Sequence, residues 1–301
     1  MHATTPARAS RELMAGIMMG ECPRWHDGRF WFSDWVGETL YSVDENGEHR
    51  AEAHVASLPF AVDWTPDGRM LLLNAAERRL LQREADGSFA AKADLAALCP
   101  HGTNEIVVDG RGNIYINDVN FDMSEGGPVK GFEDFQRTGE RPGFIALITP
   151  DWKVRKVAEG LAFPNGMAIT PDNKTLIVAE SYSGALTAFD IEADGGLSHR
   201  RVWAQLQGGG ADGICLDAES AVWAGSMQHA LRVREGGEIV DQVEVPSPLS
   251  CFAVMLGGAD GRTLLSVANH WTGDVPDENT TPSGKLFATR VDAPRAGYPG
   301  N

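Results

Sequence analysis

Apolar residues in this chain come in short bursts. Runs of four or five β-prone residues sit behind polar, glycine-bearing turns, and no stretch keeps the 3.6-residue period of a long helix. Six such units recur: HDGRFWFSD from His26, PDGRMLLLN from Pro66, DGRGNIYIND from Asp109, PDNKTLIVAE from Pro171, DAESAVWAGS from Asp217 and ADGRTLLSVAN from Ala259. Each opens on residues that favour tight turns and closes on residues that favour strands. A second strand of alternating character follows, as in TLYSVD, FIALIT or ALTAFDI, and then a third, such as EAHVAS or KVAEGLA. Counted between the turn residues Gly28, Gly68, Gly112, Asn173, Ser220 and Gly261, the spacings are 40, 44, 61, 47 and 41. Blades of a propeller repeat at about 40–50 residues. The long interval contains a Gly-rich insertion at 120–142, in which phenylalanines and charges alternate.

This pattern predicts an all-β chain folded as one six-bladed β-propeller. Residues 1–12 read as a tail, residues 13–301 as the domain, and 120–142 as a lid over one mouth of the central channel. A β-sandwich would not require six copies in register, and no GxGxxG follows a strand, which disfavours a doubly wound nucleotide-binding fold.

In a propeller the loops just before the innermost strands converge on the axis. Polar residues recur there in four units: Glu21, Asn104, Asn165 and Asp212 precede their turn residues by 7, 8, 8 and 8 positions. The other two units carry Phe60 or Ala61, and Cys251 to Ala253 with Phe252 between them, which predicts an apolar wall. Two carboxylates and two amide carbonyls make a hard oxygen set. It predicts one divalent cation on the axis, Ca²⁺ first, with Mg²⁺, Mn²⁺ or Zn²⁺ also acceptable. Taken singly, Asn165–Gly166 and Asp212–Gly213 also read as ordinary turn pairs.

The charge balance, 26 basic against 42 acidic residues for a net −16, argues against nucleic-acid binding. Cys22, Cys99, Cys215 and Cys251 have no metal-finger spacing and read as free, buried thiols. The polar start MHATTPARASREL lacks an apolar signal core, and no run is long enough for a membrane helix, so the expectation is a cytoplasmic protein without membrane partners.

The segments GECPRWHDGRFWFSD, FPNGMAITPDNKTLIVAES, ADGICLDAESAVWAGS and LGGADGRTLLSVA together resemble the SMP-30, gluconolactonase and luciferin-regenerating-enzyme family, the first through the pattern E-x-P-x-W. The resemblance runs from about Leu13 to Val291 and implies a six-bladed propeller with an axial metal. It implies Glu21, Asn165 and Asp212 as the protein ligands, with Asn104 touching substrate or completing the metal shell. Where several sugar-lactone members carry an arginine, two residues before that asparagine, this chain has Gly102, which points to less hydroxylated substrates. Asp118 resembles a pocket position of some bacterial lactonases and reads equally well as a strand-end turn residue.

The function so implied is hydrolysis of a lactone or small ester, with the metal as Lewis acid and a water activated by a carboxylate. Asp212 is the expected base, with direct attack by its carboxylate as the other course, and Asn104 is its catalytic partner. Phe60, Phe252, Asp118 and His270 complete the expected substrate pocket. GxSxG is absent, and His101, His229 and His270 stand apart from one another. Phosphotriester-type hydrolysis on the same scaffold, and a non-enzymatic Ca²⁺-binding propeller, are the alternatives.

Overall fold

The structure, a computed structural model, describes residues 8–121, 127–206, 210–273, 275–277 and 279–297. The chain opens with β1 (Ser10–Ile17). Blade 1 follows as β2 (Gly20–His26), β3 (Arg29–Asp34), β4 (Thr39–Val43) and β5 (His49–His54). Blade 2 is β6 (Phe60–Trp64), β7 (Met70–Asn74), β8 (Arg79–Arg83) and β9 (Phe89–Asp94). Blade 3 is β10 (Ile106–Val108), β11 (Ile114–Asp118), then helix α1 (Gly127–Thr138), β12 (Gly143–Ile148) and β13 (Val154–Leu161). Blade 4 is β14 (Pro164–Ile169), β15 (Thr175–Glu180), β16 (Ala185–Ile191) and β17 (Leu197–Gln205). Blade 5 is β18 (Ile214–Leu216), β19 (Val222–Ser226), β20 (His229–Val233) and β21 (Ile239–Glu244). Blade 6 is β22 (Ser250–Gly257), β23 (Thr263–Asn269) and β24 (Gly284–Arg290), and its fourth strand is β1.

The propeller expected from the sequence is therefore present as six antiparallel four-stranded sheets. All six turn residues used to count the repeats lie between the first and second strands of their blades. All have φ between 59° and 82°, the left-handed region that glycine and asparagine tolerate best. Polar side chains set these turns: Asp109 Oδ1 accepts the N–H groups of Arg111 and Asn113, both at 2.8 Å. The core lies between neighbouring blades. One apolar cluster joins Phe32 of blade 1 with Trp223 of blade 5 and Leu256 of blade 6, and another joins Phe60, Leu72, Ile116 and Phe144 of blades 2 and 3. Each such side chain, fully buried, stabilises the fold by about 1.5–3 kcal/mol.

The boundary expected at residue 13 moves. Ser10, Arg11 and Glu12 pair with Thr289, Ala288 and Phe287, so the outer strand begins inside the segment read as a tail. The physical reason is closure: blade 6 has three strands of its own, and the N-terminal segment covers the edge that β24 would otherwise expose.

In every blade the second strand runs back to the mouth where the first began, so the connection from second to third strand opens on that mouth. The insertion at 120–142 is this connection in blade 3. Residues 122–126 of it lie outside the described residues, and α1 forms its second half. Gly131 seats the helix closely, since a Cβ there would come within 2.4 Å of Tyr182 Oη and 2.7 Å of Phe121 Cζ. Tyr182 also donates from Oη to the Pro128 carbonyl oxygen at 2.7 Å.

Candidate active site

The four polar residues picked out by spacing occupy matching register positions. Each stands opposite the residue next to last in the second strand of its blade. Glu21 pairs with Ser33, Asn104 N–H donates to the Asn117 oxygen at 2.9 Å, and Asp212 N–H donates to the Gly225 oxygen at 3.0 Å. In blade 4, Pro164 pairs with Glu180, which puts Asn165 beside Ala179. The ladders are irregular at these points. Register shifts fall between Glu21 and Arg24 and between Pro164 and Met167, while β10 and β18 begin only after Asn104 and Asp212. Such bulges turn side chains out of the pleat.

Gly166 and Gly213 keep the inner strands together and are not turn glycines. A Cβ on Gly166 would lie 2.5 Å from Ile214 N and 2.7 Å from Asp212 O, and one on Gly213 would lie 2.4 Å from Ala253 Cβ. The Asn-Gly and Asp-Gly pairs therefore mark close packing of blades 4, 5 and 6 around the axis.

Glu21, Asn104 and Asn165 are buried, and the Asp212 atom Oδ1 is buried with no hydrogen-bond partner among the described residues. Burial raises the Glu21 carboxyl well above the ordinary range, and the charges of Asp212 and Glu105 add to it, against one N–H from Cys22. Asp212 is pushed up to about 8, first by burial and then by Glu105, with the Gly213 N–H and the Asn165 amide pulling the other way. Asn104 Nδ2 donates to the Pro164 carbonyl at 3.2 Å and Asn165 Nδ2 to Ser181 Oγ at 3.3 Å. Both amides thus commit their N–H groups to the protein and leave oxygen as the end able to ligate. No group of three or more His, Cys, Asp and Glu side chains suited to a metal occurs among the described residues. The amide oxygens are therefore needed to complete a donor set. Two converging carboxyls that repel each other, one with an orphan buried oxygen, fit a hard divalent cation.

Of the other expected pocket residues, Phe60 and Phe252 belong to one apolar cluster, while Asp118 and His270 meet other partners. Phe252 is half-buried at the axial end of β22 and meets Trp271 edge to face at 5.6 Å between centroids. Phe60 is buried in the apolar cluster between blades, its carbonyl oxygen accepting from Trp35 Nε1 at 2.8 Å. Asp118 is buried at the end of β11, where Oδ1 accepts the Asn120 N–H at 2.6 Å. This is the strand-end turn contact that its sequence context allowed. His270 is exposed on the connection from β23 to β24, its N–H facing Ser283 Oγ at 3.3 Å. Gly102 has φ of 106°, which a side chain rarely adopts. An arginine there would test backbone strain before it tested specificity.

Sequence reasoning missed a second sixfold pattern. The residues ending the second strands, Asp34, Asn74, Asp118, Glu180, Ser226 and Asn269, are all polar and all buried. They hold the loops of the site-bearing mouth. Asp34 accepts the N–H groups of Met18 and Met19 at 3.0 and 2.8 Å, Glu180 accepts that of Ala162 at 2.7 Å, and Asn269 Nδ2 donates to Met18 O at 3.0 Å. The signal was available, since each of the six repeated segments ends on one of them. Glu105, Arg24 and Asn117, beside the site, were missed as well.

Above the mouth, Val129 of α1 lies 3.5 Å from where a Cβ of Gly273 would stand. Gly273 belongs to blade 6, opposite blade 3 in the ring, so the two long connections meet across the mouth. Between α1 and blade 4 is a cavity of about 240 Å³ whose aromatic walls are Phe121, Phe135, Phe163 and Tyr182. Phe163 and Tyr182 stand 4.7 Å apart between centroids, and Phe163 is two residues before Asn165.

Comparison with known proteins identifies the family and the fold. A profile described as the SMP-30/Gluconolactonase/LRE-like region matches residues 19–269, and the chain belongs to that family. It is 28% identical over 172 residues to diisopropyl-fluorophosphatase of Loligo vulgaris, an alignment covering 54% of this chain and 53% of that protein. It is 27% identical over 177 residues to lactonase drp35 of Staphylococcus aureus, covering 54% and 52%. The chain thus spans about half the length of these curated relatives. A gluconolactonase from Xanthomonas campestris superposes with a TM-score of 0.73 at 21% identity, covering 97% of this chain and 93% of that one.

Proposed function

We propose that this protein is a metal-dependent hydrolase of a lactone or small ester, with Glu21, Asn165 and Asp212 holding one divalent cation, Ca²⁺ by preference. The observation that carries the reading is the pair of converging acidic side chains, Glu21 and Asp212, whose burial and mutual repulsion call for a cation. The family, and relatives named lactonase and gluconolactonase, support the reaction class.

The bound cation would supply Lewis acidity toward the carbonyl of the substrate. The residues of the chain supply the rest. Asn165 orients the Asp212 carboxyl through its amide. Asp212, whose carboxyl has one oxygen without a protein partner, would face the ion and accept the proton of an attacking water beside it. Asn104, fixed through Nδ2 by the Pro164 carbonyl, presents its oxygen to the substrate or to the ion. Phe252 and Trp271 exclude water from one wall, and α1 with its aromatic cavity receives the apolar part of the substrate.

The test is a panel of aldonolactones, hydroxyl-poor lactones and aryl esters, assayed after chelation and again with Ca²⁺, Zn²⁺ or Mn²⁺. Hydrolysis lost on chelation and restored by a divalent ion supports the reading. Full activity in the metal-free protein rejects it. A fluorophosphate belongs in the panel, because the match to diisopropyl-fluorophosphatase makes phosphorus esters the second reading.

A further inference from the structure

Three residues deeper along β2 than Glu21 stands Arg24. Its side chain and that of Glu105 are both buried, at 6% and 4% exposure, and Arg24 Nη2 donates to Glu105 Oε2 at 2.8 Å. Nη2 also donates to the Ile106 carbonyl and Nη1 to the Pro23 carbonyl at 2.8 Å, while Nε lies 3.9 Å from Asp63 Oδ2. Glu105 is fixed from its other side as well, because its N–H donates to Asn117 Oδ1 at 3.1 Å.

Glu105 follows Asn104 directly, and its charge acts on both Glu21 and Asp212. The charge of Glu105 is therefore felt at the site, while a guanidinium ties its side chain down. We infer that Arg24 sets the charge of the axial site by holding Glu105 in an ion pair, so that two carboxylates, and not three, are open to a cation. The inference rests on the metal reading above. Hard cations bind more tightly as the number of charged ligands rises. A site of two carboxylates holds a divalent ion with less excess charge and leaves more of its Lewis acidity for a substrate. Arg24 is accordingly a positioning residue that touches neither substrate nor ion.

The experiment is calorimetric titration of the chelated, dialysed full chain with Ca²⁺, with thermal melts of each variant with and without the ion. Arg24→Met releases Glu105 and is expected to tighten Ca²⁺ binding on the order of tenfold, while its ion-free form melts earlier and gains more from Ca²⁺ than the wild type does. Arg24→Lys should keep the wild-type affinity, and the double variant Arg24→Met with Glu105→Gln should return near it. A folded Arg24→Met variant with unchanged Ca²⁺ affinity overturns the inference. Should that variant fail to fold, Glu105→Gln alone decides. The guanidinium, left with Asp63 as its charged neighbour, is expected to weaken Ca²⁺ binding on the order of tenfold, and unchanged affinity there overturns the inference equally. A wild-type chain that binds no Ca²⁺ overturns the metal reading itself, an outcome distinct from wild-type binding that the variants leave untouched.

Discussion

Asn117 donates from Nδ2 to the main-chain oxygen of Asn165 at 2.6 Å, and its Oδ1 accepts the N–H of Glu105. One fully buried side chain thus ties the second strand of blade 3 to the inner strand of blade 4 at a proposed ligand. Replacing it with alanine leaves a buried carbonyl and a buried N–H unpaired. Asn117→Ala is expected to lower stability by about 1–3 kcal/mol, read from urea unfolding, and to weaken Ca²⁺ binding severalfold in titration. Unchanged Ca²⁺ affinity would show that Asn165 is held by its own strand alone.

The close approach at Gly166 gives a second expectation. A methyl group there would press on the backbone of Asp212 to Ile214, so blades 4 and 5 must part to admit it. Gly166→Ala is expected to destabilise the fold by about 1–3 kcal/mol, the usual range for overpacking, and to reduce metal affinity because Asn165 moves with the strand. The control is Gly68→Ala, at a turn with open space around it and φ of 82°. It should lose some stability and keep its affinity.

These two positions show what could be read in the sequence. Turn residues at Gly28, Gly68, Gly112, Asn173, Ser220 and Gly261 were legible because a tight turn before each β-run demands a left-handed residue, and that demand acts locally. The register of Glu21, Asn104, Asn165 and Asp212 followed from the same count. What stayed hidden depends on neighbours distant in sequence. Asn117 reads as one polar residue in an apolar strand until blade 4 is packed against it. Arg24 and Glu105 are 81 positions apart. Ser10 joins the propeller because Thr289, paired with Leu264 on one side, has its other side open to the N-terminal strand.

Asp118 carries a pH signature. Burial raises its carboxyl to about 6, opposed by the Asn120 N–H and the Cys99 thiol. A carboxyl with a raised folded-state pKa binds its proton more tightly folded than unfolded. Its contribution to stability is fullest below pH of about 4 and is lost as pH rises to about 6. The loss is at most about 3 kcal/mol for a shift of roughly two units. Asp118→Asn should remove this slope, so that the difference in unfolding free energy between variant and wild type changes in the variant's favour between those pH values and is flat above them. A constant difference from pH 4 to 7 would place the Asp118 pKa near its unfolded value.

Glu21 and Asp212 should part in their response to excess ion. Glu21→Gln keeps an oxygen ligand and loses a charge, so weaker metal binding with activity recovered at high Ca²⁺ is expected. Asp212→Asn keeps an oxygen ligand as well, but no longer accepts a proton from water. Its turnover is expected to fall by about 10²–10⁴, the contribution typical of a general base, and saturating Ca²⁺ should not restore it. Full rescue of Asp212→Asn by Ca²⁺ would leave Asp212 a ligand only and move the base elsewhere.

Substrate choice should follow the aromatic cavity under α1. Phe121, Phe135, Phe163 and Tyr182 offer ring faces, and an apolar wall discriminates by contact area where a polar one discriminates by hydrogen bonds. Lys130, Asp134 and Glu140 also line the cavity, so its polar edge suits a substrate with a hydrophilic end. Hydroxyl-poor or aryl lactones are therefore expected to be hydrolysed alongside aldonolactones. Phe135 lies within 5.6 Å of the Arg141 guanidinium and 5.9 Å of the Tyr182 ring centre, and it sits on α1, away from the residues proposed to hold the ion. Phe135→Ala should lower kcat/KM for an aryl lactone by roughly tenfold, as expected for lost apolar contact, with little change for gluconolactone and none in Ca²⁺ affinity. The measurement is the ratio of the two kcat/KM values in wild type and variant. An equal fall for both substrates would mean that Phe135 only seats the helix. A wild type strictly selective for the sugar lactone would show that the cavity lies off the path of the substrate.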